Sequence, residues 1–83
     1  MIIKLYSIKD KLTGFGGPIA FKEDKIAERW FEAFCRNKKE TEYTDAKYYE
    51  LYLVGSMDTE KGNIIGTSVN EVKLIKEGEA YDE

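Results

Sequence analysis

The segment Tyr48-Tyr49-Glu50-Leu51-Tyr52-Leu53-Val54 constrains this chain more than any other. Its aromatic and aliphatic side chains suit a pleated, half-buried surface, so it reads as a β-strand. One face carries Tyr49, Leu51 and Leu53, and the other carries Tyr48, Glu50, Tyr52 and Val54. Asp58-Thr59-Glu60-Lys61-Gly62-Asn63 follows, with Asp at the first turn position and Gly where positive φ is tolerated. The predicted hairpin pairs residues 51 to 57 with residues 63 to 68.

Upstream, residues 2 to 8 (Ile-Ile-Lys-Leu-Tyr-Ser-Ile) form a second predicted strand, with Ile3, Leu5 and Ser7 on one face and Ile2, Lys4, Tyr6 and Ile8 on the other. Leu12 to Pro18, with three glycines and the only proline, is expected to be a loop. Asp24 is placed to N-cap a helix from Lys25 to Arg36, which Asn37 closes in the left-handed conformation. Its stripe of Ile26, Ala27, Trp30, Phe31, Ala33 and Phe34 spans an arc of about 160° and must bury against something. Cys35 falls at the edge of that stripe, where it reads as a spectator. Val69 to Lys76 is a weak strand, and Gly78 to Glu83 an acidic, frayed tail.

The order strand, helix, strand, strand defines an α+β fold: a small three- to four-stranded mixed sheet in one domain over residues 1–83, with the helix packed on one face. The connection of the first strand to the second allows a parallel crossover. The helix would cover Ile3, Leu5, Tyr49, Leu51 and Leu53. Ile2, Tyr6, Ile8, Tyr48, Tyr52 and Val54 would then form a second face too apolar to be merely solvated.

Composition narrows the chemistry. The chain has no histidine and a single cysteine, which removes Ser-His-Asp and Cys-His nucleophile systems, Cys/His zinc sites and an intrachain disulfide. A domain of this size can hardly spare core for a deep substrate pocket. A non-enzymatic binding or assembly protein without cofactor, metal or small-molecule substrate is expected. No run of about 18 apolar residues is present to span a membrane. Met1-Ile2-Ile3-Lys4 lacks the pattern of a signal peptide, so the chain is expected to stay where it is made.

Charge is divided unevenly. Residues 1 to 39 carry nine basic and five acidic side chains, and residues 40 to 83 carry four and eleven, for a formal total of −3. Such asymmetry fits an anion-binding front half, two halves that attract their counterparts in a second copy, or an unevenly solvated surface.

Several of these blocks together resemble the small nonstructural protein of gokushovirus-type microviruses, which are single-stranded DNA phages. The blocks are Leu5-Tyr6-Ser7-Ile8-Lys9-Asp10, a loop reaching Pro18, a helix bearing Ala27, Arg29 and Phe31, and Tyr49 to Asp58 running into the turn Thr59 to Gly62. The likeness covers residues 4 to 66; Gly14-Phe15-Gly16-Gly17 is more glycine-rich than the pattern, and the tail from Ser68 has no counterpart. The resemblance implies a DNA-binding role in the host bacterial cytoplasm during phage DNA replication or packaging, and no reaction.

The remaining motifs have simple structural readings. Gly14-Phe15-Gly16-Gly17 lacks the G-K-[ST] ending of a phosphate loop, and Trp30, Phe31 and Phe34 fall at core spacing. The carboxylates of Glu40-Glu42-Asp45 and Asp58-Glu60 lie in turns without a pocket. Two readings remain. In one, Tyr6, Tyr48 and Tyr52 with Lys4 stack single-stranded bases while Lys9, Lys11, Arg29, Arg36, Lys38 and Lys39 meet phosphates. In the other, the same tyrosine face joins two copies in a homodimer, or meets a host protein, without nucleic acid. A dimer that pools its basic halves would satisfy both.

Overall fold

The computed structural model describes residues 1–37, 46–67 and 72–78. Its elements are β1 (Ile2–Asp10), β2 (Gly14–Phe15), β3 (Ile19–Phe21), α1 (Asp24–Arg36), a 3₁₀ turn (Ala46–Tyr48), β4 (Tyr49–Asp58), β5 (Ile64–Gly66) and β6 (Lys73–Glu77). β1 and β4 are long and pair antiparallel from Ile2 opposite Asp58 to Asp10 opposite Tyr49. β2 and β3 share the outer edge of β1, while β5 and β6 share the outer edge of β4.

Helix and sheet combine as the α+β class requires, but the sheet is antiparallel throughout its described pairings rather than mixed, and the described residues contribute six strands to it. The two additional strands come from the glycine-rich segment expected to be a loop and the residues just after it. They also explain the missing parallel pair. Because β3 and β4 flank β1 and both oppose it, they run in the same direction. α1 therefore makes its crossover from β3 to β4, not from β1.

The core is Tyr6, Ala27, Phe31, Cys35 and Leu51, with Ile8, Phe21, Trp30, Phe34, Tyr49, Leu53 and Ile75 packed around it. Tyr6 stands opposite Leu53, and Ile8 opposite Leu51, so these residues share the face that α1 covers. The expected helix-covered face of β4 is thus observed, whereas that of β1 is reversed. Leu5, Tyr6 and Ser7 are all buried although they alternate between the two faces, so the middle of β1 shows no contrast between the helix side and the other side. A bulge adds to this: Leu5 pairs with Gly55 and Tyr6 with Leu53, leaving Val54 unmatched.

On α1 the buried line is Ala27, Phe31 and Cys35, each four residues apart. Cys35 lies within the core rather than at the edge of the stripe. Ile26 is 45% exposed, and Ala33 is also exposed, so neither belongs to the buried line. Aromatic rings link the layers: Phe21 lies 5.9 Å from Tyr6 and 5.5 Å from Trp30, and Phe34 meets Tyr49 edge-on at 5.1 Å. The Lys76 ammonium, 2.8 Å from the Glu32 carboxylate, ties β6 to the helix.

The helix ends differ from expectation. Glu23 occupies the N-cap with extended backbone and no side-chain cap bond, and Asp24 lies inside the first turn. The Asp24 carboxylate instead accepts the Tyr6 hydroxyl and the Lys4 ammonium. Asn37 closes the helix with φ −81°, right-handed rather than left-handed.

The hairpin turns where predicted but is shorter than expected: Gly55 to Met57 pair with Ile64 to Gly66, while Leu51, Tyr52 and Leu53 pair with β6 instead. Asp58 accepts the amides of Glu60 and Lys61 at 2.9 and 3.2 Å, and Gly62 turns the chain at φ 77°. Beside it, a Cβ at Gly55 would lie 2.6 Å from the Ile65 carbonyl oxygen, so β5 can approach the bulge only against glycine. The weak strand forms as β6, while residues 68–71 and 79–83 lie outside the described residues.

Candidate nucleic-acid interface

With α1 on one face, the other face of the sheet carries no helix among the described residues. At one end of this open face three side chains converge from neighbouring strands. Lys9 on β1 stands opposite Phe15 on β2, and Tyr52 comes from β4, opposite Ser7. The Phe15 and Tyr52 rings meet edge-to-face with centroids 5.3 Å apart. The Lys9 ammonium lies 5.6 Å from the Phe15 centroid and 6.0 Å from that of Tyr52.

Glycines make this arrangement possible. Gly14 enters β2 at φ 102°, a conformation that side-chain-bearing residues rarely adopt. The Gly16 amide donates to the Ile8 carbonyl at 2.9 Å, and the Gly16 carbonyl accepts the Ser7 hydroxyl at 2.8 Å. The glycine segment is therefore fastened to β1, with the Gly16 amide committed to the sheet rather than offered to a phosphate. Phe15, held between these glycines, is 52% exposed.

Further cations gather at the same end. The Lys11 amide donates to the Tyr48 carbonyl at 2.8 Å, which brings the 3₁₀ turn beside the end of β1. There the Lys47 ammonium stands 5.5 Å from the Tyr48 centroid. Carboxylates temper the field. Burial, then the Glu50 charge, pushes the Tyr52 phenol upward, and burial with Asp10 does the same to Tyr49. Both rings stay neutral at physiological pH.

The structure separates the residues that the sequence grouped. Lys9, Lys11, Tyr48 and Tyr52 come together at one end of the sheet. Tyr6 does not join them: it is 1% exposed, sealed under α1, and its hydroxyl is taken by Asp24, so it offers no stacking surface. Lys4 lies 3.3 Å from Asp24 on the helix side. Tyr48 is in the 3₁₀ turn rather than in a strand. Arg29 and Arg36 belong to α1, on the opposite side of the sheet from Lys9; Arg29 lines a shallow hollow of about 200 Å³ with Lys25 and Ile26. Lys38 and Lys39 lie outside the described residues.

Phe15 is the site residue that the sequence reading passed over. A large aromatic isolated among glycines was the available signal, because such a segment cannot bury the ring by itself. Among the described residues no group of three His, Cys, Asp or Glu side chains is placed to hold a metal ion. None of the described helices is long and apolar enough to cross a membrane.

No curated protein matches the chain, and no solved structure does. A family profile described as Phage ORF5 protein matches residues 3–81, nearly the whole sequence, and the chain therefore belongs to the Phage ORF5 protein family.

Proposed function

We propose that this phage protein binds single-stranded DNA on the open face of its sheet, with bases stacking on Phe15 and Tyr52 while Lys9 and Lys11 engage phosphates. The observation that carries the reading is the convergence of Lys9, Phe15 and Tyr52 at one end of a face without a covering helix. Aromatic stacking on an exposed sheet, bordered by cations, suits unpaired bases of any sequence. The resemblance to the nonstructural protein of gokushovirus-type microviruses supports a role in DNA replication or packaging within the host bacterial cytoplasm.

A formal charge of −3 opposes DNA at long range and favours a second reading, a homo-oligomeric or host-interaction module without nucleic-acid contact. Titration of a labelled mixed-sequence oligonucleotide, single-stranded and duplex, at two salt concentrations separates the two. DNA binding requires preference for the single strand and affinity that falls with salt at a slope of about −0.7 per phosphate neutralised. Absence of binding at low salt rejects it in favour of the second reading.

A further inference from the structure

At the end of the sheet away from Lys9, β5 is the outermost strand of the path β2-β1-β4-β5. Its backbone polarity follows from its bonds. The Asn63 carbonyl accepts from Asp58, and the Thr67 amide donates to Val54, so residues 63, 65 and 67 turn their polar groups toward β4. Ile64 and Gly66 therefore turn theirs outward, where no described strand meets them. Gly62 to Thr67 contains no charge and no proline, the usual devices that keep a strand edge from pairing. Ile64 is 63% exposed and Ile65 is 55% exposed.

We infer that β5 is a self-complementary edge that pairs antiparallel with β5 of a second copy, with Ile65 on the two-fold axis. In that register Ile64 and Gly66 of the second copy exchange N–H and C=O, and symmetry repeats the exchange. Side chains also fit. Ile64 stands on the open face, opposite Met57, and so does Gly66, opposite Gly55. Each Ile64 thus falls beside a residue without a side chain, and a Cβ at Gly66 would meet nothing within 4 Å. On the other face the two Ile65 side chains meet each other. An arbitrary peptide could satisfy the backbone, but alternation of large and absent side chains about Ile65 matches the strand to itself. Such a two-fold axis stands perpendicular to the sheet, so both open faces lie on the same side of one continuous sheet.

The test uses charge at the axis. Ile65→Glu and Ile65→Lys each place like charges directly opposite, and because Ile65 is exposed, each protomer should keep its circular dichroism and cooperative unfolding. Mass in solution at about 1 mM protein, where even millimolar affinity is visible, should rise above 9.6 kDa toward twice that value for the parent and stay at 9.6 kDa for either variant alone. An equal mixture of the two variants should recover the dimer. In the parent, the Ile64 and Gly66 amides should exchange with deuterium more slowly as concentration rises. A monomeric parent, variants that remain dimeric, or a mixture that fails to recover the dimer would each overturn the inference. None of these outcomes depends on DNA binding.

Discussion

The hydroxyl of Tyr6, in the middle of β1, donates to the carboxylate of Asp24, in the first turn of α1. This bond fastens the start of the helix to the sheet and keeps Asp24 below the usual carboxylate range, with the Lys4 ammonium assisting. Burial, reinforced by the Asp24 hydrogen bond, keeps the Tyr6 phenol neutral far into alkali.

Tyr6→Phe should therefore cost about 1 to 2 kcal/mol at neutral pH, at the lower end for a charge-assisted bond because Asp24 is partly exposed. A depressed folded pKa at Asp24 stabilises above about pH 4, and that contribution fades as pH falls through the folded pKa. A raised folded pKa at Tyr6 stabilises below about pH 10 and is lost as pH rises toward the folded pKa. Urea unfolding across pH should show the parent's advantage over Tyr6→Phe widest between these limits and narrower outside them. An advantage that does not vary with pH would rule out this coupling.

Phe31, fully buried between the helix and the sheet, should matter most among the helix side chains. Phe31→Ala is expected to cost about 3 to 5 kcal/mol, enough to threaten a small domain. Ile26→Ala on the exposed side should stay within about 0.5 kcal/mol. Thermal melts followed by circular dichroism should separate the two.

Gly55→Ala should loosen β5 in particular, because the added methyl meets a backbone oxygen that cannot swing away. A cost of about 1 to 3 kcal/mol is expected. Faster hydrogen exchange at Ile65 and Thr67, with the β1 amides still protected, would mark the damage as local.

On the open face, Phe15→Ala and Tyr52→Ala should each weaken single-stranded DNA binding by about 1 to 3 kcal/mol without changing its salt slope, because stacking releases no counterions. Lys9→Gln should flatten the slope by about 0.7 if it neutralises one phosphate, whereas Arg29→Gln on the opposite side should leave it unchanged. An Arg29 effect as large as that of Lys9 would move the interface to the helix side.

The helix, β4 and the hairpin turn were legible because each has a single apolar face or a turn residue with one conformational role. The phase of β1 was not. Leu5 and Tyr6 are adjacent and both buried, so a period of two has no contrast to report. β2 and β3 are too short to show periodicity; they exist because β1 offers them an edge. Two of the three converging side chains, Lys9 and Tyr52, were visible, while Phe15 was hidden in a segment whose glycines argued for a loop. Tyr6 misled because its ring and hydroxyl suit a buried hydrogen bond as well as an exposed stacking surface, and only Asp24 decides between them.

The Thr59 amide donates to the Met1 carbonyl at 2.9 Å, closing the end of the β1 and β4 ladder across most of the chain. Synthesis runs from the N-terminus, so α1 emerges with its line of Ala27, Phe31 and Cys35 before the β4 residues that cover it have been made. Long-range pairing must bear the entropy of closing that large loop before it is rewarded. The nascent protein therefore passes through a stage in which its most apolar helix face has no sheet to lie on. That interval, rather than the finished fold, is when the chain is most exposed to aggregation.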